Sequence, residues 1–344
     1  MNTNELRATA QAMVAPGKGI LAADESSGTI KKRFDAIQLE STAETRRAYR
    51  ELLFSARGAE KHISGVIFYD ETLRQASADG TPFPKLLASK GVLPGIKVDT
   101  GTKELPGFPG EKITEGLDGL RERLSEYRGL GARFAKWRGV IDVDVASGIP
   151  SDYCLEAHAH ALARYAALCQ EQGIVPIVEP EVLMDGAHTI EVCYDVTCRT
   201  LELVFAALFR ARIALEGLVL KPNMVIAGKK CAQQASAEKI AELTLRCFRA
   251  HVPAAVPGIV FLSGGQGEQE ATRNLNAMNA LGKQPWELSF SYGRALQQSV
   301  LDAWRGNPKN KEAAQQAYLQ RAKLNGAARN GSYTPAMEKE LVPA

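Results

Sequence analysis

Three lysines at the ends of apolar runs are the residues of this chain that point most directly to chemistry: Lys97, Lys136 and Lys221. An ammonium taken out of water is costly, so each needs a carboxylate partner or a task. A lysine deprived of water, or set beside a second cation, can serve as a neutral amine that attacks a carbonyl and forms a Schiff base. Carboxylates occupy matching places, with Asp24 following Gly19 to Ala23 and with Glu179 and Glu181 flanking Pro180. Two residues apart on an extended path, the two glutamates face the same way and can share acid/base work. Each residue also has a bland reading: the lysines as rim ion pairs with Asp99, Glu179 or Glu181, the glutamates as a solvated loop, and Asp24 as a helix cap. Three lysines with carboxylates on neighbouring run ends weigh against it.

Two anion grips flank these groups. Ser263-Gly264-Gly265-Gln266-Gly267 separates a strand-like run from a helical pattern. Its backbone N–H groups would cradle a phosphate. In Ser291-Tyr292-Gly293-Arg294 the arginine adds a bidentate hold on the same anion. Ser26, Thr29, Lys97 and Arg138 form a second grip on the opposite side. Among five histidines the only close pair, His158 and His160, lacks the i, i+4 spacing of two metal ligands on one helix face. The reading is a site without metal or cofactor, in which an iminium serves as the electron sink between two phosphate grips, suited to a ketose bisphosphate.

These groups must be held by a repeating framework. Short β-rich runs recur at Gly19 to Ala23, Ile63 to Tyr69, Pro94 to Val98, Arg133 to Trp137, Val175 to Val178, Leu218 to Leu220, Ile259 to Leu262 and Glu287 to Phe290. Helical patterns lie between them: Thr42 to Arg57, Thr114 to Leu130, Ser151 to Gln172, His188 to Leu215, Ala235 to His251 and Gln269 to Leu281. Near-continuous apolar strands separated by helices imply parallel pairing with both sheet faces covered. Eight units predict an α/β fold, a closed (β/α)₈ TIM barrel with extra terminal helices, over an open doubly wound sheet, whose early G-x-G-x-x-G turn is missing. The active site then lies where the runs end in polar residues. One barrel domain is expected over residues 1–324, with residues 325–344 as a loosely attached C-terminal tail.

Composition excludes several classes of function. Forty-two Lys and Arg against 39 Asp and Glu leave a net charge of +3, too little to recruit nucleic acid or an anionic membrane. No stretch combines the length and apolarity of a membrane span. The N-terminus lacks a secretory pattern, and six cysteines without a C-x-x-C pair read as reduced thiols, so a cytoplasmic location is expected.

At these same residues the chain resembles class I fructose-1,6-bisphosphate aldolase, the Schiff-base type. The likeness is carried, in order, by Gly19-Ile20-Leu21-Ala22-Ala23-Asp24-Glu25-Ser26, Gly95-Ile96-Lys97-Val98-Asp99, Phe134-Ala135-Lys136-Trp137-Arg138, Val178-Glu179-Pro180-Glu181, Leu220-Lys221-Pro222-Asn223-Met224, Leu262-Ser263-Gly264-Gly265-Gln266 and Ser291-Tyr292-Gly293-Arg294-Ala295-Leu296. The resemblance implies imine formation at Lys221, acid/base work by Glu179 with Glu181 beside it, proton acceptance from the C4 hydroxyl by Asp24, and Lys136 between them. It implies that Ser263, Gly264 and Arg294 hold the C1 phosphate, Ser26, Thr29, Lys97 and Arg138 the C6 phosphate, and that Ser291 and Gly293 also bind substrate. It also implies a barrel, a homotetramer, sugar-phosphate substrates, and a place in glycolysis and gluconeogenesis. Animal members of that family end in a tyrosine, whereas this chain ends Glu340-Leu341-Val342-Pro343-Ala344, with Tyr333 at an earlier tail position. Other Schiff-base barrels, such as transaldolases, and a binding scaffold on the same fold are the rival expectations; two separated phosphate grips and four intact chemical residues speak against them.

Overall fold

Eight parallel strands close on themselves in the computed structural model, which describes residues 2–339. They are β1 (Gly19–Ala23), β2 (Ile63–Phe68), β3 (Leu93–Lys97), β4 (Phe134–Ile141), β5 (Val175–Val182), β6 (Val219–Leu220), β7 (Gly258–Phe261) and β8 (Glu287–Tyr292). Each pairs with its sequence neighbours, and β8 returns to β1 through Ile20 opposite Ser291 and Leu21 opposite Tyr292. The expected (β/α)₈ barrel is therefore the fold, and all eight expected runs are its strands.

The two-residue period of a strand sorts the side chains. One parity fills the barrel: Ile20 and Ala22, Ile67, Phe134, Val175 and Ile177, Val219 and Val260, met at the N-terminal end by Leu6, Ala10 and Met13 of the helix Thr3–Met13. The other parity, including Leu21, Phe68, Trp137, Val178, Leu220, Phe261 and Tyr292, packs against the surrounding helices. Glycine at positions 65 and 95 makes room for the Phe134 ring, which a Cβ at either would strike. Truncating so enclosed a ring costs about 3–5 kcal/mol. Continued past the apolar layers, the inward parity reaches Asp24, Lys97, Asp99, Lys136, Arg138, Glu179, Glu181, Lys221 and Ser291. The barrel is thus oily at its N-terminal end and ionic at its C-terminal end.

Two expectations need correction. The helix expected over Thr114 to Leu130 spans Leu120–Gly129. Residues Lys112–Glu115 instead pair antiparallel with Gly101–Glu104 in a hairpin at the barrel mouth, where the Thr114 hydroxyl donates to the Arg138 carbonyl at 2.7 Å. The tail boundary at residue 325 falls inside the helix Lys311–Arg329, whose Asn325, Gly326, Ala328 and Arg329 are buried. Nor is the segment beyond that helix loose as far as it is described. The buried Tyr333 donates its backbone N–H to Asn276 Oδ1 at 2.9 Å and its hydroxyl to Glu338, which pairs with Arg321 at 2.7 Å. Small side chains and turn residues disguised a docked segment as a linker. Residues 340–344 lie outside the described residues.

Arg329 reaches across the seam where the barrel closes. It donates to the carbonyls of Val14 and Lys18, just before β1, and pairs at 2.8 Å with Glu287, the first residue of β8. Among the described residues, no helix is long and apolar enough to cross a membrane.

Candidate active site

A cavity of about 420 Å³ opens at the C-terminal ends of the strands, and every candidate residue of the sequence reading lines it. The strand register explains the convergence. Lys97 lies opposite Lys136, and Arg138 opposite Glu179, so the polar ends of β3, β4 and β5 stand level.

At the centre is an alternating chain of charges. Lys136 Nζ lies 2.9 Å from Asp24 Oδ2, to which it donates a hydrogen bond, 3.2 Å from Glu179 Oε2 and 4.0 Å from Asp99 Oδ2. The other oxygen of Glu179, Oε1, is 3.1 Å from Lys221 Nζ. Lys136, Glu179 and Lys221 are each no more than 4% exposed. One carboxylate thus bridges two lysines, with Asp24 on the far side of Lys136.

Burial alone would raise the Asp24 pKa, but the ammonium groups of Lys136 and Lys221 outweigh it and hold the carboxyl well below the usual range. Burial likewise works against the charge on Lys136, yet the carboxylates of Asp24, Glu179 and Asp99 push its pKa well above that of an ordinary lysine. Asp24 is a fixed anion and Lys136 a fixed cation. The arrangement offers an amine at Lys221, a carboxylate within proton-transfer reach of it, and a separate proton acceptor at Asp24.

The two grips lie on either side. Ser263 lies just past β7 and is followed by Gly264 and Gly265 at φ +57° and +97°, the left-handed region where a side chain would be strained. Their turn is closed by Gln266 N–H donating to the Ser263 carbonyl at 2.8 Å. The Ser291 hydroxyl is buried without a hydrogen-bond partner, and Gly293 caps the helix Arg294–Trp304. Arg294 is exposed at that helix start. Opposite them, Ser26 caps the helix Ser27–Ala36, and its hydroxyl lies 3.1 Å from that of Thr29. Lys97 pairs with Asp99 at 2.9 Å, and Arg138 pairs with Glu181. The sequence reading brought all these residues to one cavity and named Asp99 as a rim partner of the lysines; the pairing of Glu181 with Arg138 is what it did not give.

Other wall residues escaped it. Arg33 pairs with Glu25, whose second oxygen meets the deeply buried Arg50 at 2.6 Å. Arg33 follows Ser26 by seven residues, a helical spacing that could have shown it. Lys229 also lines the cavity, pairs with Asp185 at 3.0 Å, and lies so close over Gly265 that a Cβ there would collide with its ammonium. It sits in a loop, outside any periodic pattern, and no sequence signal marks it.

Comparison with known proteins agrees with the geometry. The model of the family described as "Fructose-bisphosphate aldolase class-I" matches residues 5–342. A protein of Xanthomonas campestris pv. campestris named as a probable fructose-bisphosphate aldolase class 1 is 57% identical over 97% of this chain and 99% of its own length. Fructose-bisphosphate aldolase 1 of Toxoplasma gondii is 54% identical over 96% of this chain and 91% of its own. A solved structure of the Plasmodium falciparum aldolase, in complex with TRAP and a small-molecule inhibitor, superposes with a TM-score of 0.95 at 53% identity, covering 96% of this chain and 95% of that one. With a lysine-bridging carboxylate at the mouth of a closed barrel and a family match over nearly its whole length, the chain belongs to the class I fructose-bisphosphate aldolases, lyases that work through a lysine Schiff base in glycolysis.

Proposed function

We propose the following division of labour in the reversible cleavage of fructose 1,6-bisphosphate to dihydroxyacetone phosphate and glyceraldehyde 3-phosphate. Lys221 attacks the C2 carbonyl as its free amine. Glu179 then delivers a proton to the carbinolamine oxygen, which leaves as water, and the iminium remains. Asp24 removes the C4 hydroxyl proton; the C3–C4 bond breaks, its electrons pass into the iminium, and glyceraldehyde 3-phosphate departs. Protonation of the resulting enamine and addition of water release dihydroxyacetone phosphate and restore the lysine. Lys136 keeps Asp24 ionised and orients Glu179, while Glu181 holds Arg138.

Ser263, Gly264, Ser291, Gly293 and Arg294 bind the C1 phosphate in this reading, with Lys229 as a further cation, and Ser26, Thr29, Lys97 and Arg138 bind the C6 phosphate. The observation that carries it is the placement of Glu179 between Lys221 and Lys136, at 3.1 and 3.2 Å. We further infer a homo-oligomer, a tetramer by family resemblance. We infer a cytoplasmic enzyme from six free thiols and the pathway it serves. The test of the site is borohydride reduction with dihydroxyacetone phosphate in the presence of EDTA, followed by peptide mapping. A stable adduct on Lys221 is expected; an adduct on Lys136 or Lys97 would reassign the nucleophile.

A further inference from the structure

We propose that Cys198 and Cys247 are a two-thiol oxidation site, outside the catalytic cavity, that closes to a reversible disulfide. Cys198 lies on the helix Ile190–Arg210 and Cys247 on the neighbouring helix Ala237–His251. Their Sγ atoms are 3.0 Å apart. A disulfide is about 2.05 Å long, so the two sulfurs stand about 1 Å beyond bonding distance.

Exposure sets the order of events. Cys198 is half-buried and open to a small oxidant, whereas Cys247 is fully enclosed. A partly exposed thiol next to a second, resolving thiol is the arrangement that hydroperoxides oxidise reversibly. The Cys198 thiolate attacks one peroxide oxygen and the O–O bond breaks, leaving a sulfenic acid and hydroxide. Cys247 sulfur then attacks Cys198 sulfur, the S–O bond breaks, and the hydroxyl leaves with the Cys247 proton as water. Overall, two thiols and one hydrogen peroxide give one disulfide and two waters. Of the remaining cysteines, Cys154, Cys169 and Cys193 are buried and Cys231 is half-buried in a loop; among the described residues Cys198 and Cys247 are the pair whose sulfurs stand within 4 Å of each other.

The bond would join two helices that hold the segment following Lys221. Thr197 of the first accepts from the Asn223 side chain at 3.1 Å, and Thr244 of the second accepts from the Val225 backbone N–H at 2.9 Å. Neither cysteine touches the cavity, so oxidation braces the site's backing without consuming a catalytic group.

The test is intact mass and peptide mapping of the full chain after brief treatment with hydrogen peroxide, with and without later dithiothreitol. The expected result is loss of two hydrogens, a linked peptide pair containing Cys198 and Cys247, and reversal by the reductant. Cys198→Ser should abolish the loss, and in Cys247→Ser the sulfenic acid on Cys198 should be captured by dimedone. Oxygen added to Cys198 in the wild-type chain while Cys247 stays free would overturn the proposal, as would a cross-link through any other cysteine or no change in mass. The wild-type peptide map decides the matter even if a variant fails to fold.

Discussion

Replacing Lys136 with methionine removes the ammonium that holds Asp24 and Glu179 apart in role. At an effective dielectric constant of about 20, charges at the observed 2.9 and 3.2 Å attract by about 6 and about 5 kcal/mol before hydration is counted. Most of that is offset by the cost of keeping the charges dry, and losing one partner of a buried ion pair has a net cost of about 3–5 kcal/mol. If the loss falls on the transition state, kcat drops by roughly two to four orders of magnitude, at a factor of ten per about 1.4 kcal/mol. Its direction in pH is also fixed. Asp24 stripped of its main countercharge titrates at higher pH, so the acid limb of the kcat profile should move upward. The assay is glyceraldehyde 3-phosphate release coupled to a dehydrogenase, run across pH, alongside thermal unfolding to separate lost stability from lost catalysis. A folded Lys136→Met enzyme with kcat within about fivefold of wild type and an unmoved acid limb would refute the electrostatic role, since the Coulomb terms are too large to vanish unseen.

Four further changes test neighbouring parts of the site. Lys221→Met should abolish borohydride trapping of dihydroxyacetone phosphate while leaving a folded barrel, as judged by circular dichroism; a persistent adduct would move the imine to another lysine. Arg294→Met removes a charged hydrogen-bond donor worth about 1.5–3 kcal/mol and should raise KM for the bisphosphate roughly tenfold to a hundredfold; Lys229→Met, whose lysine is partly exposed, should raise it by no more than about fivefold. Steady-state kinetics with fructose 1,6-bisphosphate and with a ketose lacking the C1 phosphate would check both, because only the former should respond. The Asp24 carboxyl titrates below its usual value of 3.8, so its contribution to stability is complete above that value and is lost as pH falls toward the folded value. Asp24→Asn should therefore be less stable than wild type near neutrality, with the gap narrowing in strong acid, as chemical denaturation at several pH values would show.

Much of this site was legible because strand periodicity and barrel closure do most of the positioning. Once Lys136, Glu179 and Lys221 are recognised as ends of parallel strands, the two-residue period turns them inward and the barrel brings them together. Local pairing was not legible. Nothing in the spacing of Arg138 and Glu181, or of Glu25 and Arg50, says that these charges meet, because their contact depends on side-chain reach across β4 and β5 or between a loop and a later helix. The helical pattern from Thr114 takes in the end of the strand Lys112–Glu115, because its hairpin partner, Gly101–Glu104, is short and exposed, with no apolar alternation. The docked C-terminal segment was missed for a related reason: its small residues look like a linker, yet smallness is what lets Gly326 lie against the Gly17 backbone.

The reach of Arg329 from beyond the barrel to its closing seam has a consequence for the order in which the chain is made. A barrel has no free edge only when its first and last strands are joined. Here β1 emerges early in synthesis, while β8 and the arginine that ties their N-terminal ends together emerge last. Until β8 clears the ribosome, at about 5–20 residues per second, β1 stands with one unpaired side and the growing sheet is open to wrong partners, and until residue 329 follows, the seam lacks its tie. The final helix therefore acts as a clasp on a nascent chain, and truncations within it should betray themselves first as aggregation during expression, before any effect on turnover can be measured.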